Sequence, residues 1–120
     1  MNGMILQTVV ETPEFIKQAS ACMSDESRLD FIKFIAENPL DGDLITGTGG
    51  ARKIRWRANF NEGKRGGARI IYYYHDQDLP IFLFTVYKKN QKGNITALEK
   101  KMLKKIINII VETYEENSDE

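Results

Sequence analysis

Reactive side chains are scarce in this 120-residue chain, which has one cysteine, Cys22, and one histidine, His75. A lone Cys22 excludes a disulfide framework and a thiolate metal site, and it fits a reduced, cytoplasmic setting. With no second His or Cys beside His75, metal catalysis lacks a ligand set, so neither metal nor cofactor is expected. A Ser or Cys triad is equally unsupported. No apolar run approaches the roughly 20 residues that cross a bilayer, and the first ten residues lack the basic flank and long apolar stretch of a signal peptide. The expectation is a soluble, non-exported protein with no membrane partner. The length suits one domain with a core that needs no staples, assigned to residues 1–116 with an acidic tail at 117–120.

Net charge is zero, but the charges are segregated. Residues 52–105 carry fourteen Lys and Arg against four acids, a net +10, whereas residues 1–51 and 106–120 carry −5 each. Such a chain concentrates a positive field on one surface despite its neutral total.

The apolar run at 5–10 reads as a strand added to the edge or middle of a sheet. Thr12, Pro13 and Glu14 then make a helix start, with Thr12 as N-cap and Pro13 at the first helical position. That helix should reach about Met23, with Phe15, Ile16, Ala19, Cys22 and Met23 as its apolar stripe. Ser24 caps a second helix, whose apolar positions are Leu29, Phe31, Ile32, Phe34 and Ile35 and which ends at Asn38-Pro39. The glycine-rich stretch 41–50 invites a nucleotide-loop reading and fails it. No Lys-Ser or Lys-Thr follows Gly47, and the stretch opens a strand instead of a helix. It reads as a flexible loop. Thr96 and Glu99 have the spacing of a capping box. The helix they start should run to about Glu115, with Leu98, Met102, Leu103, Ile106, Ile107, Ile110, Val111 and Tyr114 on its apolar side, ahead of a frayed acidic end.

Residues 51–90 carry most of the information. They read as a three-stranded antiparallel sheet whose side chains alternate between two faces. Ile54 and Trp56 oppose Lys53, Arg55 and Arg57. Ile70, Tyr72 and Tyr74 oppose Arg69, Ile71, Tyr73 and His75. Phe82, Phe84 and Val86 oppose Leu83, Thr85, Tyr87 and Lys89. One column is a core face, and the other is cationic with two tyrosines. Folding does not require Lys53, Arg55, Arg69 and Lys89 to share a face, because like charges on neighbouring strands repel. A polyanion would neutralise them. Lys64 and Arg65, in the loop between the first two strands, add to that charge, as does Lys88. Lys, Arg and Tyr together suit phosphodiester chemistry: cations hold the phosphate and stabilise its developing charge, while Tyr stacks on a base or donates a proton. Composition by itself supports RNA binding as well as RNA cleavage.

The motifs ETPEF (11–15), GTGGARKIRW (47–56), GKRGGARIIYYYHD (63–76) and TVYKKN (85–90), in this order of elements, resemble the RelE superfamily of toxins, and within it the HigB-type branch. The resemblance spans residues 5–112. It implies an α+β, RelE-like fold, with an N-terminal strand and helical hairpin packed on an antiparallel sheet and a C-terminal helix. It also implies the toxin of a type II toxin–antitoxin system, a metal-independent endoribonuclease that enters the ribosomal A site and cuts translated mRNA to 2',3'-cyclic phosphate ends. The implied partners are a cognate antitoxin of helix-turn-helix type, the ribosome and mRNA, with operator DNA reached only through the antitoxin. Carried onto this chain, the resemblance makes Arg69 the phosphate clamp, Lys53 or Lys89 the base and Arg55 a charge stabiliser; the family's C-terminal tyrosine has no clear equivalent, and Tyr73 or Tyr87 is read from the residues as a stacking or proton-donating group, with Tyr87 counted among the catalytic residues. Arg57, Lys64, Arg65, Tyr73 and Lys88 become RNA-binding residues. Arg55 stands where the family's best-known members have a lysine, and Arg is not deprotonated in proteins. A catalytically silent RNA- or ribosome-binding module and a protein-interaction domain are the alternatives.

Overall fold

Residues 7–59 and 67–118 are described by a computed structural model. The elements are β1 (Val9–Glu11), α1 (Pro13–Cys22), α2 (Asp25–Glu37), β2 (Asp43–Leu44), β3 (Ala51–Trp56), β4 (Ala68–Tyr73), β5 (Ile81–Lys88) and α3 (Ala97–Ser118). The strands form one sheet in the order β1-β5-β4-β3-β2. It is mixed, since β1 runs parallel to β5 while every other pair is antiparallel. The expected strand at 5–10 is therefore an edge strand at Val9–Glu11, and residues 1–6 lie outside the described part.

Local chemistry sets the helix ends as the sequence implies. Thr12 accepts a hydrogen bond from the Phe15 amide at the start of α1, and Ser24 accepts one from the Ser27 amide at the start of α2. Thr12 also donates to the Leu83 carbonyl at 2.8 Å, which fastens α1 to β5. At the other side of this layer, Trp56 Nε1 donates to the Ser27 carbonyl at 3.1 Å and an Arg28–Glu11 ion pair of 2.6 Å joins α2 to β1. The capping box of α3 is reciprocal: the Thr96 amide donates to Glu99, and the Glu99 amide donates back to Thr96 Oγ1. The helix continues through Ser118, three residues past the expected end, so the frayed end does not begin at Glu115.

The sheet is buried on both faces. Against one, α1 and α2 bring Phe15, Ala19, Phe31 and Ile35 onto Ala68, Ile70, Tyr72, Ile81, Leu83 and Val86. Against the other, α3 brings Leu103 and Ile107 onto Ala51, Ile71, Tyr73, Phe82 and Phe84. The alternation expected for β3 and β4 holds, but that of β5 does not. Ile71 faces Thr85 whereas Tyr72 faces Leu83, which leaves Phe84 as an extra residue in β5. Such a bulge exchanges the faces on its two sides. Phe82 and Phe84 therefore lie under α3, and Leu83 packs with Val86 under α1 and α2. Several expected stripe residues are also exposed: Ile16 on α1, Leu29 on α2, and Leu98, Met102 and Ile106 on α3.

The expected loop at 41–50 contains β2, paired with β3 so that Asp43 faces Lys53 and Leu44 faces Arg52. Buried Thr48 organises the turn, donating to the Ile45 carbonyl and accepting from the Ala51 amide. Gly47, Gly49 and Gly50 all have positive φ there, a region that costs side-chain-bearing residues strain. The glycines thus serve a tight hairpin, not a slack connection.

Candidate functional site

The α3 face of the sheet is apolar only in part. Beyond the helix, Lys53 and Arg55 of β3, Arg69 of β4 and Lys89 after β5 line a cavity of about 680 Å³ with Asp41, Asp43, Gly93 and Asn94. Strand register places Arg55 directly opposite Arg69, and Arg69 directly opposite Tyr87. Two guanidinium-bearing residues in facing positions repel each other, and an anion between them removes that cost.

Each member is fixed by its element. Arg69 is only 9% exposed, and one of its terminal nitrogens donates to the Ala68 carbonyl at 3.2 Å. The Lys53 ammonium donates to Asn94 Oδ1 at 3.3 Å, joining β3 to the segment before α3. Lys89 is exposed, and its backbone N–H donates to the Gly67 carbonyl at 2.8 Å. Lys88 and Lys89 share a second, smaller depression with Ala58, Gly67 and Asn90. Behind the cavity, Lys92 pairs with Glu99 of the capping box and sets its ammonium 5.7 Å from the Tyr87 ring centroid. The start of α3 is thereby tied to the site.

Tyr87 is buried, and its hydroxyl has no hydrogen-bond partner among the described residues. Burial pushes its phenol up from the ordinary value; the neighbouring Arg69 charge opposes the rise and Glu99 adds to it. The hydroxyl therefore stays protonated near neutral pH, as a proton donor must. Tyr87 does not line the cavity itself.

Other sequence candidates lie elsewhere. Arg57 follows the end of β3 and turns to α2, where it pairs with Asp30 and lies 5.6 Å from the Trp56 ring centroid. Alternation continued past the last strand residue had placed it on the cationic face. Tyr73 is in the core beneath α3, where its hydroxyl contacts His75 Nδ1 at 2.7 Å, and is not at an RNA-facing surface. Lys64 and Arg65 lie outside the described residues. Sequence reading missed Asp41, Asp43 and Asn94. The acids could have been found by treating the glycine-rich stretch as a hairpin turn, which brings Asp43 into register with Lys53. Asn94 carries no comparable signal. Among the described residues, no group of three or more His, Cys, Asp or Glu is placed to hold a metal ion, and no helix is long and apolar enough to cross a membrane.

Fold and cavity together define a small α+β protein whose central sheet presents cations beside the helix that covers the rest of that face. A family model described as the RelE toxin of the RelE / RelB toxin–antitoxin system matches residues 8–119. The chain belongs to the RelE toxin family. It is also similar in structure to an arginine double mutant of the E. coli toxin RelE in the free state, with a TM-score of 0.55 and 14% identity over 81% of this chain and 95% of that one. At that identity the likeness concerns the fold.

Proposed function

We propose that this chain is a toxin of the HigB-type branch that inhibits translation by cutting mRNA on the ribosome. The observation that carries the reading is the convergence of Lys53, Arg55, Arg69 and Lys89 on one cavity in a RelE-family chain. The 2'-hydroxyl attacks the adjacent phosphorus while the bond to the 5'-oxygen of the next nucleotide breaks, leaving a 2',3'-cyclic phosphate and a free 5'-hydroxyl. Arg69 and Arg55 hold the phosphate and meet the charge that grows on its oxygens, a role that preorganised donors perform best in a partly dehydrated site. Lys53 or Lys89, the two lysines that line the cavity, accepts the 2'-hydroxyl proton. Tyr87, whose buried hydroxyl lies off the cavity lining, supplies a proton to the leaving oxygen once bound RNA opens a path to it. A site with no strong acid–base pair relies heavily on positioning, and a ribosome that holds mRNA in line for attack provides it. A cognate antitoxin, of the helix-turn-helix kind, keeps the toxin inactive and links it to operator DNA.

The test is cleavage with and without translation. Purified protein added to a translation extract containing EDTA-tolerant controls and a defined mRNA should give cyclic-phosphate and 5'-hydroxyl ends, while free RNA stays largely uncut. Metal-dependent cutting of free RNA to 3'-hydroxyl ends would overturn the mechanism. RNA or ribosome binding with no cleavage would support a silent binding module instead.

A further inference from the structure

The cavity is not uniformly cationic. Asp41 and Asp43 form part of its lining with the four basic residues, both are exposed, and neither makes an ion pair among the described residues. Register puts Asp43 directly opposite Lys53, yet the Lys53 ammonium is hydrogen-bonded to Asn94.

The backbone between the two acids is pinned by groups underneath. The Gly42 amide donates to the Tyr72 hydroxyl at 2.8 Å, and that hydroxyl donates to the Pro39 carbonyl at 2.8 Å. Arg52 donates to the Gly42 carbonyl at 2.7 Å and to the Leu40 carbonyl at 3.3 Å. A Cβ on Gly42 would lie 2.7 Å from Tyr72 Cε1, so only glycine lets the segment sit this close to the sheet. Two unpaired carboxylates are thus carried into the cavity on a fixed support, the arrangement expected of recognition groups.

A carboxylate repels phosphate and can only accept hydrogen bonds. The parts of a ribonucleotide that it attracts are therefore the 2'-hydroxyl and the N–H groups of the base. Groups that reach the 2'-hydroxyl must crowd the phosphate and the cations that hold it, whereas the edge of a base projects further away. Acids that make no ion pair with the neighbouring cations among the described residues match the second geometry. Building on the nuclease reading above, we infer that Asp41 and Asp43 are specificity-determining residues that accept hydrogen bonds from the amino-bearing edge of the base next to the bound phosphate. Adenine, cytosine and guanine present such an amino group. Uracil presents carbonyl oxygens on both sides of its single N–H and is disfavoured.

The test compares wild type with Asp41→Asn, Asp43→Asn and the double variant on mRNAs that differ only in the base at the cut site, with 5'-hydroxyl ends mapped by sequencing. Wild type should cut uridine sites about tenfold less than the others, a factor typical of one good base contact. Asn offers uracil an N–H donor, so the ratio of uridine cutting to cutting at the other bases should rise about tenfold in the double variant. Equal cutting of all four bases by wild type, or an unchanged profile in the double variant, would overturn the inference. So would complete loss of cleavage with RNA affinity intact, because the acids would then serve in proton transfer. Fluorescence anisotropy with short oligoribonucleotides that differ at one base reads the same preference without cleavage. If wild type cuts nothing in the extract, the nuclease reading fails, and the binding series still decides base selection: weaker uridine binding that Asn substitution relieves supports it, and equal affinities overturn it.

Discussion

The two faces of the sheet use the same strands for opposite ends. Under α1 and α2, apolar side chains run across β1, β5, β4 and β3, and the buried polar groups there act as tethers, such as Ser27 between α2 and the end of β3. Under α3, apolar packing covers Ala51, Ile71, Tyr73, Phe82 and Phe84, and the same face then continues into Lys53, Arg55, Arg69 and Lys89. Both faces obey period two, so periodicity cannot separate them. The difference lies in how far the covering element reaches. A site that places like charges on adjacent strands must be stabilised from elsewhere, and the hairpin face provides that support.

The largest expected effect tests the supporting face. Phe31 is fully buried, and Phe31→Ala should lower unfolding free energy by about 3–5 kcal/mol in urea denaturation. A cost below about 1 kcal/mol would mean that this face is not the stabilising one. Next comes the cationic face, where Arg69→Ala should reduce cleavage in a translation extract by about 100- to 1000-fold, the usual loss for one oxyanion-stabilising donor. Activity within about threefold of wild type, in protein shown to be folded by its melting curve, would remove Arg69 from the site.

Smaller effects sharpen the boundary between the two regions. Thr96→Ala should cost about 1 kcal/mol by opening the capping box that ties α3 to the cavity. Its partner Glu99 is held below the usual carboxylate range, first by the hydrogen bond from Lys92 and then by that from the Thr96 backbone. Because the folded value is the lower one, the contribution of Glu99 is complete above the ordinary Glu range and is lost as pH falls through the folded value. Melting curves of wild type and Glu99→Gln should therefore differ at pH 7 and converge only once the pH has fallen below the lowered folded value. The smallest effect on stability belongs to Tyr87→Phe. Removing a buried hydroxyl that lacks a partner should leave the melting temperature unchanged or slightly raised, while cleavage falls. A loss of stability above about 1 kcal/mol would show that the hydroxyl is structural.

Legibility varied with the range of the interaction. The caps at Thr12, Ser24 and Thr96 were readable because the interacting groups lie within three residues of one another. The shared face of Lys53, Arg55 and Arg69 was readable because alternation survives wherever pairing is regular. Arg57 was misplaced because alternation ends with the strand, and a nearby carboxylate, Asp30, then captures the side chain. Tyr73 was misplaced because residues on one sheet face receive different cover along its length.

The sequence alone therefore determined the elements, their capped ends, the segregation of charge and the columns of the two regular central strands, all consequences of short-range sterics and hydrogen bonding. Only tertiary structure decided that β5 carries a bulge at Phe84 that moves Phe82 and Leu83 to faces opposite those expected, since one unpaired residue leaves no mark on local pattern. It also decided that α3 stops short of the cations, and that a glycine pressed against Tyr72 brings Asp41 and Asp43 to the same cavity. Those outcomes depend on contacts between residues far apart in the chain, which no window of sequence contains.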